Sequence, residues 1–145
     1  MKVFVDTNVA LDFLLEREPF FQNTYLLFEA IAADRISGYV SATSLTDIFY
    51  IVRKQTKSVE RARQAVSDLL VLMAICPVDR TILEAALSSE ERDFEDVVQV
   101  TCAVSQHLNA VITRDAEGFS TSPIPVLTVA ELLSRLSQLS DGTSE

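Results

Sequence analysis

The sequence predicts an α/β domain of three layers, with helices on both sides of a central, mostly parallel sheet of about five short strands. Two observations carry that reading. Short apolar runs without polar alternation, such as Val3-Phe4-Val5 and Ala110-Val-Ile-Thr113, suit strands covered on both faces. Between these runs lie longer stretches with apolar residues at helical spacing, and strands alternating with such helices build a parallel sheet.

The first strand, Val3–Val5, ends at Asp6, and Thr7 or Asn8 is expected to cap a helix through Val9, Leu11, Phe13 and Leu14. Pro19 disfavours helix at Glu18 and stops it. A second helix is expected over Phe20–Ala33, and Gly38 punctuates the chain before a strand at Tyr39–Ser41. Leu45, Ile48, Phe49 and Val52 recur at the spacing of one buried face and predict a helix over Thr43–Lys54. Another follows from Ser58 to Leu72, then a third strand at Ala74–Cys76, closed by Pro77.

Asp79 is placed to cap a helix through Ile82, Leu83, Ala86 and Leu87. Asp93 opens a helix carrying Val97, Val100, Thr101, Val104 and Leu108, which leads into the fourth strand, Ala110–Thr113. Pro123 and Pro125 frame a loop before a short strand at Val126–Leu127. Thr128-Val-Ala-Glu131 is a capping box for the last helix, through Leu139. Residues 1–140 thus read as a single domain, and residues 141–145 as a polar, frayed tail.

Composition bounds the function. With 145 residues, 48% of them hydrophobic, one domain with a substantial core is expected. The net charge of −9, from 21 acidic and 12 basic residues, excludes nucleic-acid binding through a general basic surface. Contact with nucleic acid must be local, through a few cations, a metal ion or a basic partner. Cys76 and Cys102 sit in apolar runs without a CxxC partner and read as buried free thiols. No signal-peptide pattern opens the chain and no apolar run reaches the ~20 residues of a membrane span. A cytoplasmic location without membrane association is expected.

Four aspartates stand where such a sheet forms its sites, outside the carboxyl ends of the strands. Asp6 ends the first strand and Asp115 lies just past the fourth. Asp47 is in the first turn of the helix after the second strand, and Asp96 in the first turn of the helix before the fourth. Singly, each has an ordinary explanation: Asp47 three residues after Ser44, and Asp96 three after Asp93, fit capping pairs, while Asp6 and Asp115 fit turns. Four carboxylates on one rim repel, however, and call for a cation. Mg²⁺ or Mn²⁺, hard ions that take oxygen ligands and retain water, would meet that need and would suit phosphodiester hydrolysis by a metal-activated water.

Four segments, in order, also carry a likeness: VFVDTNVALDFLL, SATSLTDIFYIVRK, DFEDVVQVTCA and NAVITRDAEGF. From Val3 to about Leu133 the chain resembles the PIN-domain nucleases, and most of all the small bacterial VapC-like toxins. The resemblance implies an α/β/α domain, often dimeric, with an acidic pocket for Mg²⁺ or Mn²⁺. It implies an RNA substrate and, for toxin members, an antitoxin partner. It sets the first acidic position on Asp6, followed by Thr7 and Asn8, and the second on Asp47, where glutamate is more usual and aspartate is one methylene shorter. The third falls on Asp96, with Asp93 and Glu95 as neighbouring candidates, and the fourth on Asp115, with Thr113 as a hydrogen-bond donor to a ligand or phosphate. Asp6 and Asp96 lead as ligands; whether one ion or two are held stays open.

Arg114 is a candidate phosphate contact or a surface arginine. Arg53, Lys54, Lys57, Arg61 and Arg63 form the densest basic stretch, a substrate track or a solvated helix face. His107 sits near a helix end, a place that suits its charge better than catalysis. Tyr25, Phe28, Phe49 and Tyr50 are shared between core and subunit-interface readings. GxGxxG, GxxxxGK and GxSxG motifs are absent, which excludes those nucleotide loops and a serine-hydrolase elbow. Besides an endoribonuclease, two readings remain: a non-catalytic interaction protein of this fold, and a metal-dependent phosphohydrolase of a small substrate.

Overall fold

The alternation of short strands and long helices resolves, in a computed structural model, into five parallel strands in the order β3-β2-β1-β4-β5. The structure describes residues 1–91 and 93–143, so the expected connection at 88–93 and the tail at 141–145 fall partly outside it. The strands are β1 (Lys2–Val5), β2 (Ser37–Ser41), β3 (Ala74–Cys76), β4 (Ala110–Ile112) and β5 (Val126–Leu127). The helices are α1 (Thr7–Leu14), α2 (Phe21–Ala32), α3 (Ala42–Thr56), α4 (Val59–Leu72), α5 (Arg80–Leu87), α6 (Phe94–Ser105) and α7 (Val129–Thr143), with a 3₁₀ turn at Glu117–Phe119.

Alternate residues of each central strand enter opposite cores. Val3 and Val5, with Ala110 and Ile112, pack under α1–α4 and α7, whereas Phe4 and Val111 pack under α5 and α6. That split is the reason the strand sequences are apolar throughout: both faces are covered. Fully burying a side chain such as Phe4 stabilises the fold by roughly 1.5–3 kcal/mol. Cys76 and Cys102 are buried in the second core as free thiols.

Several local expectations are met. Asp79 and Asp93 cap their helices through side-chain oxygens, and Thr128 and Glu131 exchange the two bonds of a capping box; Ser58, expected as the first residue of its helix, is the cap of α4. Others are corrected. The residue at the N-cap of α1 is Asp6 rather than Thr7 or Asn8, which lie inside the helix. The cap of α3 is Ser41, which accepts from the Ser44 N–H, so α3 starts a residue earlier and Ser44 is not its cap. Gly38 lies within β2, not before it: a Cβ there would stand 2.7 Å from Ile31 Cδ1 and 2.8 Å from Met73 Cε, so its place is set by close packing. The last helix continues past Leu139 to Thr143, where no proline stops it. Phe28 is buried and stacks on Phe13, which leaves it no surface role, while Tyr25 and Tyr50 are exposed. Among the described residues no helix is long and apolar enough to cross a membrane.

Candidate active site

Strand order decides where a site forms. The chain leaves β1 toward β2 on one side and later returns to β4 on the other, so connections diverge above the β1–β4 pair and leave a crevice. Asp6 follows β1, and Asp115 lies three residues beyond the end of β4. Asp47 comes to the same rim in the second turn of α3, and Asp96 in the first turn of α6. A cleft of about 370 Å³ brings all four together with Asp93 and Glu95, and Thr7, Asn8, Tyr50 and Ile51 complete its lining.

Asp6 is the buried member, 5% exposed. It stands at the N-cap of α1. Its Oδ2 accepts a 2.9 Å bond from the Thr113 hydroxyl, whose oxygen in turn accepts the Asp115 N–H at 3.0 Å. One hydroxyl thereby ties the carboxylate after β1 to the backbone after β4. Burial raises the Asp6 pKa, opposed by hydrogen bonds from Thr113, the Gln99 amide and the N–H groups of Thr7 and Asn8.

A hydroxyl chain braces the opposite wall. Thr7 Oγ1 donates to Ser44 Oγ at 2.9 Å and stands 3.4 Å from Glu95 Oε1, and Ser44 Oγ lies 2.7 Å from Ser41 Oγ. Gln99, buried one turn beyond Asp96, accepts the Thr7 N–H at 3.3 Å. Sequence reasoning missed Gln99. The signal was there: it is the polar residue three positions after Asp96, on the same helical face, in an otherwise apolar stretch.

Asp93 is the cap of α6, accepting the Asp96 N–H at 3.2 Å. The Asp96 carboxylate is left free to face the cleft. Desolvation, then the charges of Asp93, Asp6, Asp115 and Glu95, push its pKa up to about 7. Glu95 is raised too, first by desolvation and then by Asp47. Both shifts combine burial, the larger cause, with the mutual repulsion of carboxylates gathered in one cleft. Gly118 fits tightly beside it, since a Cβ there would lie 2.6 Å from Asp96 Oδ2 and 3.0 Å from Asp115 Oδ2. A side chain there would push these two carboxylates aside.

Arg114 turns elsewhere. Its Nε donates to Asp12 Oδ2 at 2.9 Å and its Nη2 to Oδ1 at 3.4 Å, and the guanidinium lies 4.2 Å from the Phe20 ring centre. Asp12, 1% exposed, also pairs with Arg17 at 3.5 Å. Asp12 was not anticipated; a lone carboxylate in the apolar run of α1 was its only trace. His107 follows the end of α6 with a positive φ of 56°. The basic stretch Arg53–Arg63 occupies the end of α3 and the start of α4, away from the α3 turn that carries Asp47.

A PIN-domain family model matches residues 2–117, which include every one of these carboxylates. The chain belongs to the PIN-domain family. It is similar to ribonuclease VapC1 of Aquifex aeolicus, 25% identical over 143 residues that cover 95% of this chain and 97% of that one. Among solved structures, the VapC20 toxin of Mycobacterium tuberculosis, described as cleaving the sarcin-ricin loop, superposes with a TM-score of 0.66 at 13% identity. That likeness covers 82% of this chain and 94% of the other. A toxin–antitoxin complex from Klebsiella pneumoniae gives 0.63 at 22% identity, over 88% and 97%. This PIN domain thus has the three-layer fold of those toxins.

The donors of the cleft fit a hard divalent ion. They are carboxylate and hydroxyl oxygens, with no thiol or imidazole among them. Among the described residues no three acidic, histidine or cysteine side chains are already grouped so as to hold a metal ion together. Mg²⁺ does not require such a group, since it is commonly held through one or two carboxylates and keeps several waters.

Proposed function

We propose that this PIN domain is an endoribonuclease dependent on Mg²⁺ or Mn²⁺, which hydrolyses phosphodiester bonds of single-stranded or structured RNA. The observation that carries the reading is the cleft itself: six carboxylates face one space with no basic side chain in its lining among the described residues, and Asp96 is driven up to about 7 by burial first and then by the neighbouring charges. Asp6 and Asp96 are the leading ligands, with Asp115 and Asp47 beside them. A bound divalent ion would supply charge neutralisation at the phosphate and an acidified water.

The protein's own contribution is positioning. Thr113 fixes the Asp6 carboxylate and the Asp115 backbone together. Thr7, Ser44 and Ser41 hold the wall near Glu95, and Asp93 fixes the first turn of α6 so that Asp96 faces inward. Asn8 lines the mouth of the cleft. Ionised carboxylates near the phosphate can accept the proton of the attacking water.

The relatives support a role as the toxin of a toxin–antitoxin pair, with an antitoxin as partner and RNA as substrate; a homodimer is the assembly we expect. Labelled single-stranded RNA incubated with Mn²⁺ tests the activity. Cleavage should vanish in both Asp6→Asn and Asp96→Asn; equal cleavage by all three proteins would indicate a contaminant and sink the reading. Mn²⁺ binding without cleavage would favour a non-catalytic interaction protein. Expression should arrest growth, and co-expression of a neighbouring antitoxin should relieve it.

A further inference from the structure

A second concavity of about 460 Å³ opens beside the acidic cleft, between α5, α6 and the segment around the 3₁₀ turn. The two share Asp96, and Gly118 stands at the sill between them, against the Asp96 and Asp115 carboxylates. The groove differs in chemistry from the cleft. Among the described residues Asp96 is the only charged one in its lining, and Ile82, Val97, Val100 and Pro123 make much of the wall apolar. Thr81 and Thr121 line it as well, and so does Thr101, whose hydroxyl donates to the Val97 carbonyl at 2.7 Å and keeps its acceptor capacity.

We propose that this groove receives a nucleobase flanking the scissile phosphate, and so contributes to where the RNA is cut. The inference rests on the nuclease reading of the adjoining cleft. A phosphate seated in the adjoining cleft would leave its neighbouring nucleoside within reach of the sill. Among the described residues the groove has no cation to hold a second phosphate, and its apolar walls suit the uncharged face of an unstacked base. Hydroxyls that both donate and accept suit a base edge. The volume lies within the roughly 300–1,000 Å³ of small-molecule pockets. Because no aromatic ring lines the groove among the described residues, the base would be gripped between aliphatic side chains and not stacked on a ring.

The test combines a plug with a missing base. Ala85 lines the groove from an exposed position of α5, so Ala85→Trp should fill it without entering the core. Val104→Trp, on the exposed rim contributed by α6, is a second plug should the first fail to fold. Leu87→Trp, on the outer side of α5 and 74% exposed, is the control. The substrate is a single-stranded RNA with one mapped cut, prepared intact and with an abasic ribose on either side of that cut.

For the wild type, one of the two abasic RNAs should lose about tenfold in kcat/KM, chiefly through KM. Either plug should lose as much on intact RNA and nothing further on that abasic RNA, while Leu87→Trp behaves as wild type. Plugs that cut intact RNA at the wild-type rate, or lose equally on intact and abasic RNA, overturn the subsite and leave the nuclease reading standing. A wild-type protein that cuts no RNA overturns both.

Discussion

Removing the charge of Asp96 should stabilise the metal-free protein while abolishing its activity. In the folded chain the carboxyl is pushed from its ordinary 3.8 up to about 7. A carboxyl with a raised folded pKa contributes stability that is complete below its unfolded pKa and is lost as pH rises through the folded one. The window is therefore about pH 4 to pH 7. At about 1.4 kcal/mol per pH interval, the span from 3.8 to about 7 corresponds to an upper bound of about 4 kcal/mol. Asp96 is partly exposed, and solvent screening reduces the figure to roughly 1–2 kcal/mol. In a domain of this size that is a rise in Tm of roughly 2–8 °C. The assay is thermal unfolding in EDTA at pH 5 and pH 8, for wild type and Asp96→Asn. The gain should be larger at pH 8, where the wild-type charge is fully present, and Mn²⁺ should raise the wild-type Tm far more than that of the variant. An Asp96→Asn protein no more stable than wild type at pH 8 would refute the claim that burial and neighbouring charges penalise the ionised Asp96.

Arg114→Ala should destabilise the fold by about 1–3 kcal/mol in urea unfolding, less than a fully buried pair because Arg17 still reaches Asp12. Arg114→Lys should recover only part of this, since an ammonium reproduces neither the fork on Asp12 nor the stacking on Phe20. Gly118→Ala should barely move the Tm, because the carboxylate tips can swing aside, yet weaken Mn²⁺ binding by about tenfold in calorimetry. Thr113→Val, equal in shape, should cost about 1–3 kcal/mol by leaving Asp6 Oδ2 and the Asp115 N–H without their partner, and should slow RNA cleavage.

The layers and the number of strands were legible because each central strand must be apolar on both faces, as Val3-Phe4-Val5 shows. Caps were legible where one residue type had one local task, as at Asp79, Asp93 and Thr128. Reading failed where a residue's role depended on a distant neighbour. Gly38 resembles a turn glycine in sequence, yet its constraint is the pressure of Ile31 and Met73 on β2. Ser44 resembles a helix cap, but Ser41 takes that bond and frees the Ser44 hydroxyl for Thr7.

The acidic cleft shows the same division. That Asp6, Asp47, Asp96 and Asp115 belong to one rim follows from their positions at strand ends and helix starts, and the fold brings them there. What spacing could not reveal is how the rim is divided. Both segments that supply Asp96 and Asp115 also line the neutral groove, so one stretch of chain borders a charged space on one side and an apolar one on the other. Gly118 is where the two meet, and a side chain there would displace both carboxylates. A domain of net charge −9 can approach a polyanion only where its own charge is locally countered or absent. The cleft answers the first condition when an ion is bound, and the groove beside it, charged among the described residues only at Asp96 where the two spaces meet, comes close to the second.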